Sequence, residues 1–209
     1  SDFFRPDVLD REQIEARKKA LGIPLDRPVV AYLGLLADYQ GTPQLIQATQ
    51  ILKQRGLDAH VLIMGFPDVP GYRKMAADLG VSDRITFTGK VIYEDAPAHL
   101  ALGDVAVAPK LSATEGCGKI LNYMAMALPT VAFDTPVSRE YLGSLGTYAG
   151  QIGDPGALAD AIARLLDYPQ RRLELGQKLR KRVTRHFSWD RAGRQLLNIY
   201  RAVLGERQA

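Results

Sequence analysis

Hydrophobic positions along this chain follow two periods in turn. From Pro28 to Pro136, short apolar and β-branched runs alternate with amphipathic stretches, with glycines between them. Pro28–Leu36 (PVVAYLGLL) is nearly continuous in apolar residues up to Gly34, the pattern of a strand buried on both faces. Thr42 and Pro43 predict an N-cap and a first-turn residue for a helix through Arg55. Leu45, Ile46, Thr49 and Leu52 form its inner stripe, and Gly56 stops it. Ala59–Met64 predicts a second strand, Tyr72–Leu79 a short helix, and Arg84–Thr88 a third strand. Asp95–Leu102 then predicts a helix, Asp104–Ala108 a fourth strand, Lys119–Ala127 a helix and Pro129–Phe133 a fifth strand. Strands alternating with helices specify an α/β fold with a mostly parallel sheet between two helical layers. Such sheets bind ligands beyond the carboxyl ends of their strands, where Gly34, Gly65 and Gly89 follow three of the runs.

Beyond Asp154 the period becomes helical. Ala157–Tyr168 carries Leu158, Ile162, Leu165 and Leu166 on one face. A second helix is expected from about Pro169 to Arg185, and a third from about Asp190 to Leu204, with Leu196, Leu197, Tyr200 and Leu204. Ser1–Asp7 reads as a linker and Arg11–Leu21 as a short surface helix. The expected organisation is a hinge with that helix over 1–24 and one α/β domain over 25–209. Ser1 in place of Met is read as a cleavage or cloning junction.

Composition changes this picture little. The 209 residues are 46% hydrophobic and 24% charged, ordinary globular usage with room for one large domain. A single cysteine, Cys117, excludes an internal disulfide framework, and a cytoplasmic location is expected. No apolar run approaches the ~20 residues of a membrane span. The net charge of +4 leans C-terminal, in Arg171, Arg172, Lys178, Arg180, Lys181, Arg182 and Arg185. Leu173, Leu175, Leu179 and Val183 alternate with these cations and no aromatics interleave. The stretch therefore reads as the solvated face of a packed helix, not as a nucleic-acid or membrane surface.

The stretch richest in chemistry is Ala108–Pro129 (APKLSATEGCGKILNYMAMALP). A strand ends, a loop with Gly116 and Gly118 follows, and a helix begins near Lys119. The free N–H groups and positive dipole of a helix start make a natural diphosphate seat. Lys119 adds a cation, and Glu115 a carboxylate able to accept hydrogen bonds from sugar hydroxyls. Glu115 could instead cap the helix, since glycine-rich turns are common. His60, His99 and His186 stand at no metal-ligand spacing, so no metal site is expected. His60 reads as a half-buried side chain, His99 and His186 as surface residues. Cys117 lies where a thiol pKa can fall, but no base accompanies it and a space-filling role is expected. Ser112 lacks the G-x-S-x-G elbow, and neither G-x-x-x-x-G-K-[ST] nor G-x-G-x-x-G occurs. A flavodoxin-like regulatory domain would need an acidic pocket, which Asp38 and Asp134 alone do not build.

Taken in order, these stretches resemble family 4 of the retaining glycosyltransferases, the group 1 glycosyl transferases. DFFRPD is similar to the hinge G-V-D-x-x-x-F-x-P, and YLGLLADYQGTPQLIQA to G-R-L-x-x-x-K-G-x-x-x-L-I-x-A. VLIMGFP and ITFTGKV are similar to the next two strands, and FSWD with its following helix resembles the usual end. DVAVAPKLSATEGCGKILNYMAMALPTVAFD resembles A-D-V-x-V-x-P-S…E-G-x-G…E-x-M-A-x-G-x-P-V-V-A. The resemblance implies the Rossmann-like C-terminal half of a two-domain GT-B glycosyltransferase, with the acceptor domain outside this chain. It implies a nucleotide diphosphate sugar as donor, no other cofactor, and transfer with retention. It places the base at Gly89, Lys90 and Val91, the sugar at Glu115, and sugar and phosphate at the amides of Gly116, Cys117 and Gly118. Peripheral membrane association of the whole enzyme is a possible further partner, nucleic acid is not, and the isolated half is expected to be inactive.

Three departures stand out. Leu35 and Gln40 occupy the positions of the Arg and Lys that clamp the diphosphate in that family. Asn122 falls where a second glutamate holds the ribose, with one residue fewer after Glu115. Phosphate neutralisation would then rest on the helix start with Lys119 or Lys110. A nucleotide-sugar-binding relative without turnover would show the same losses.

Overall fold

In the computed structural model, which describes residues 3–205, the apolar runs become six parallel strands: β1 (Val29–Leu33), β2 (His60–Met64), β3 (Ile85–Gly89), β4 (Val105–Ala108), β5 (Thr130–Phe133) and β6 (Thr147–Ala149). They pair in the order β3-β2-β1-β4-β5-β6. Ser1 and Asp2, where the hinge-like opening begins, and residues 206–209 lie outside the described residues. The helices are α1 (Arg11–Ala20), α2 (Thr42–Gln54), α3 (Val69–Asp78), α4 (Ala96–Leu100), α5 (Gly118–Ala125), α6 (Pro136–Leu142), α7 (Pro155–Leu166), α8 (Pro169–His186) and α9 (Trp189–Val203).

Strand side chains alternate between two cores, as the period of two requires. Val30, Tyr32, Val61, Ile63, Val105 and Val107 join α2, α3 and α7 on one face. Val29, Ala31, Leu62, Met64, Ala106 and Ala108 join α4, α5, α6 and α8 on the other. Each large aliphatic chain so buried contributes roughly 1.5–3 kcal/mol. Phe4 and Ile23 also enter the second core, whereas α1 buries none of its residues.

Several boundaries move for local reasons. The N-cap of α2 is Gly41, not Thr42, which is the first helical residue. Gly41 has φ 78°, and a Cβ there would collide with the carbonyl of Pro109, so no capping side chain fits. Asp104 precedes β4; its carboxylate accepts from Val29 N at 2.8 Å and ties the two central strands at their start. The sequence reading missed α6 and β6. The first is a seven-residue helix with a Thr135–Ser138 capping box, the second a three-residue edge strand.

The C-terminal cations are partly structural. Arg172 of α8 donates to Leu165 O and Leu166 O, at the end of α7. Arg180 donates to Ala125 O, the last carbonyl of α5, and to Phe4 O. Arg182 donates to Glu140 O and Tyr141 O, in the last turn of α6. Three arginines of one helix thus satisfy the orphan carbonyls of three others, and the negative ends of those helix dipoles favour them there. By contrast, α9 has no buried residue and leaves Trp189, Leu196, Leu197, Ile199, Tyr200, Val203 and Leu204 exposed.

Gly176 of α8 lies so close to the turn after α5 that a Cβ would strike Ala127 O. Gly176→Ala should therefore destabilise the fold by about 1–3 kcal/mol, the usual cost of overpacking. Thermal unfolding checks this; a melting temperature at or above that of the wild type would contradict the packing described.

Candidate functional site at the carboxyl rim

The strand order reverses between β1 and β4, because the chain leaves β1 for α2 on one face and β4 for α5 on the other. Diverging connections open a crevice at that point, where doubly wound sheets hold ligands. Backbone contacts fix its walls. Gly34 N donates to Met64 O, Gly65 N donates to Gly89 O, and Leu36 N donates to Phe66 O. A Cβ on Gly65 would collide with Gly34 O, so the ledge formed by the first two strand ends needs glycine there. Across the crevice, Leu111 N donates to Tyr39 O at 2.9 Å, joining the loop after β4 to the turn after β1. Gly34, Gly65, Gly89 and the Glu115–Lys119 turn accordingly share one rim.

Helix α5 starts on that rim. Its N-cap is Cys117, and no side chain caps it, so Glu115 does not serve as the cap. Gly116 and Gly118 are exposed, which leaves first-turn amides accessible to an anion. The Cys117 side chain is buried, and that burial raises the thiol pKa; the thiol fills space, as expected.

Lys119, the cation expected at this helix start, is partly desolvated. Its Nζ donates to Gln40 Oε1 at 2.9 Å and to the Tyr32 hydroxyl at 3.1 Å. Desolvation first, with the charge of Lys110 adding to it, lowers its pKa from 10.5 to about 8. The lysine gets there by crossing Gly34, where a Cβ would stand 2.7 Å from Nζ. Tyr32 is wholly buried, its hydroxyl donating to Leu35 O at 2.6 Å. The hydroxyl of Tyr123, one turn along α5, accepts from Leu33 N at 2.8 Å and ties the helix to the end of β1. Neither Tyr32 nor Tyr123 stood out in sequence, because both look like core aromatics.

The other cation of the region is engaged. Lys110 is buried, and its Nζ lies 2.8 Å from Glu115 Oε2 and donates to Gly116 O at 3.1 Å. Glu115 itself remains exposed, so its carboxylate can still meet a ligand. Leu35 is exposed and carries no charge to the rim. Asn122 is half-buried on α5, a turn beyond Gly118. Past β3, Lys90 lies over the Phe66 ring at 5.3 Å, and Lys90 with Val91 forms one end of a groove of about 780 Å³ along the outer edge of β3. Asp134 is bound by Arg139 at 2.6 and 2.7 Å, so it builds no acidic pocket with Asp38.

His60 starts β2, at the amino end of the sheet and away from the rim. It is buried against Thr86 Oγ1 at 2.8 Å, and burial lowers its pKa to about 4. His186 is exposed and His99 half-buried. No helix among the described residues is long and apolar enough to cross a membrane.

Comparison with known proteins gives a consistent picture. Residues 27–168 match the family model described as Glycosyl transferases group 1. The chain is 32% identical over 206 residues to the alpha-D-kanosaminyltransferase of Streptomyces kanamyceticus, covering 97% of this chain and 52% of that protein. It is also 32% identical over 211 residues to the GDP-mannose-dependent alpha-(1-6)-phosphatidylinositol monomannoside mannosyltransferase of Mycobacterium tuberculosis (H37Rv), covering 96% and 53%. The chain thus spans about half the length of the curated relatives it matches. Among solved structures, Anabaena Alr3699/HepE in complex with UDP and glucose superposes with a TM-score of 0.83 at 17% identity, covering 95% of this chain and 54% of that one. The C-terminal domain of the group 1 family protein LpcC from Francisella tularensis superposes at 0.74 and 19%, covering 90% and 97%. These structural likenesses are of fold.

The lowered pKa of Lys119 has a signed consequence. The folded value lies below the unfolded one, so burying the charge costs stability in full below about pH 8, and the cost fades as pH rises toward 10.5. Lys119→Met should therefore melt higher than the wild type at pH 7, with the gap closing between pH 8 and 10.5. Lysine side-chain NMR should show one ammonium titrating near 8, absent in that variant. Uniform titration of every lysine near 10.5 would contradict the placement of Lys119.

Proposed function

The chain belongs to the group 1 glycosyl transferases, and on that premise we propose that it is the donor-binding, C-terminal half of an enzyme that moves a sugar from a nucleotide diphosphate sugar to an acceptor with retention. One observation carries this reading: an uncapped helix start, α5, opens on the crevice where the strand order reverses, with a lysine ammonium beside it. Amides and dipole suit a diphosphate, and Lys119 supplies the charge that the helix alone lacks. Stabilising the leaving diphosphate is then the largest catalytic contribution of this half. Glu115, exposed beside the same turn, is the group assigned to the donor sugar, and Asn122 the group assigned to the ribose. The glycine ledge leads from α5 toward Lys90 and Val91, where the base is assigned.

The acceptor and the rest of the machinery are assigned to a part of the protein outside this chain, in keeping with the half-length match to its relatives. The apolar face of α9, uncovered over its whole length, is the surface assigned to that part. The named substrates of the relatives differ, including GDP-mannose for the mycobacterial enzyme. A second reading, a nucleotide-sugar-binding relative without turnover, draws on Leu35, Gln40 and Asn122. Hydrolysis or transfer of a nucleotide sugar by the full-length protein separates the two.

On this reading the chain alone binds a nucleoside diphosphate but transfers no sugar. Robust transfer by these 209 residues would contradict the half-enzyme assignment. Lys119→Ala should weaken binding of UDP, GDP or ADP about ten- to hundredfold, since a charge-assisted hydrogen bond contributes roughly 1.5–3 kcal/mol. The matching nucleoside should bind variant and wild type alike. Calorimetric titration checks both, and equal diphosphate affinity in the two proteins would leave Lys119 without the assigned role.

A further inference from the structure

The Lys119 ammonium and the tip of the Gln40 side chain meet at one point on the rim, although one comes from α5 and the other from the turn between β1 and α2. Nζ stands 2.9 Å from Gln40 Oε1 and 3.1 Å from the Tyr32 hydroxyl. That hydroxyl spends its own proton on Leu35 O at 2.6 Å, which leaves its lone pairs toward the ammonium. Gln40 is held in turn: Gly41 behind it lies against Pro109, and Tyr39 before it accepts from Leu111 N. No carboxylate among the described residues pairs with Lys119. A partly desolvated ammonium held only by neutral acceptors is costly, and such arrangements concentrate at functional sites. The ammonium also lies 4.3 Å over the Tyr32 ring, another neutral partner.

Two ammonium groups could not share this point, because like charges at hydrogen-bond distance repel strongly. One cation serves it, and the side chain of residue 40 or of residue 119 can deliver it. We propose that Tyr32 and Gln40 are positioning residues that aim the Lys119 ammonium at the donor's diphosphate, and that positions 40 and 119 are interchangeable sources of that single charge. The proposal rests on the reading of this rim as a nucleoside diphosphate site. It accounts for an uncharged Gln40 beside a charged Lys119 as a relocation of the cation rather than its loss.

The test is calorimetric titration of the chain with UDP, GDP and ADP, and with uridine, guanosine and adenosine. Lys119→Gln should weaken nucleoside diphosphate binding about ten- to hundredfold, and adding Gln40→Lys to it should restore at least about tenfold of the loss. Gln40→Lys alone should bring no gain. Tyr32→Phe and Gln40→Ala should each weaken the diphosphate about three- to tenfold and leave the nucleoside unchanged. The pH profile separates positioning from mere packing. The titratable and charged groups facing Nζ are Lys110 and Cys117 from the loop before α5 and Tyr32 from β1. Free Lys119 titrates near 8, so wild-type affinity should fall as pH rises from 7 to 9.5, while the terminal phosphate stays ionised. Lys119→Gln should lose this pH dependence.

A doubly exchanged variant that melts like the wild type yet binds no better than Lys119→Gln overturns the proposal. Should that variant fail to fold, wild-type affinity in Tyr32→Phe overturns it equally. Failure of the wild type to bind any of the three nucleoside diphosphates is a different result, and removes the reading of the rim itself.

Discussion

Backbone pressed against backbone at the carboxyl rim is the constraint on which the rest of the structure depends. Gly65 lies on the carbonyl of Gly34, and Gly41 lies on that of Pro109. Neither position admits a side chain, so the ends of β1 and β2 and the loop after β4 approach more closely than side chains would allow. The hydrogen bonds from Leu36 to Phe66 and from Leu111 to Tyr39 then fix the loops to one another. On the proposed reading, a crevice with such fixed walls leaves little ordering entropy for a ligand to overcome. The missing side chain at Gly34 does a second job, admitting Lys119 from the far face of the sheet.

The basic surplus of the chain is distributed with similar specificity. Arg172, Arg180 and Arg182 end on helix carbonyls, where they neutralise the negative ends of α7, α5 and α6. Lys110 is spent on Glu115 and the backbone of the glycine turn. Lys119 keeps no carboxylate partner among the described residues and holds only the neutral oxygens of Gln40 and Tyr32. The same desolvation that lowers its pKa strengthens its pull on an incoming anion, because screening is weak where water is excluded. On the proposed reading, stability and affinity oppose one another at this residue, as they do at sites where a strained or desolvated group serves a ligand.

Long buried strands and paired glycines were legible in the sequence because period and punctuation agree. Five strands, the helices between them and the three after Asp154 follow from alternation alone, and the order of motifs carried the family. What stayed hidden was short or non-local. β6 spans three residues, half-exposed at a sheet edge, too short for a period of two to register. α6 has seven residues, and its capping box uses Ser138 where glutamate would have signalled a start. Gly41 displaced Thr42 as a cap because of Pro109, a neighbour 68 positions away that no local rule sees. The rim residues Gly34, Gly65, Gly89 and Lys119 were found by position, but the environment of Lys119 was not. Its contacts with Tyr32 and Gln40 span 87 and 79 positions, and they exist only through the fold.

The half-enzyme reading joins these elements: a rigid ledge for the nucleoside, a helix start for the diphosphate, and an apolar helix α9 left uncovered for another part of the protein. The most direct measurement is a crystal structure of this chain grown with UDP, GDP or ADP. Phosphate oxygens are expected within hydrogen-bond distance of the first amides of α5 and of Lys119 Nζ, with the base lying past Gly65 toward Lys90. A nucleotide bound elsewhere, or a rim still empty at saturating nucleotide, would contradict it.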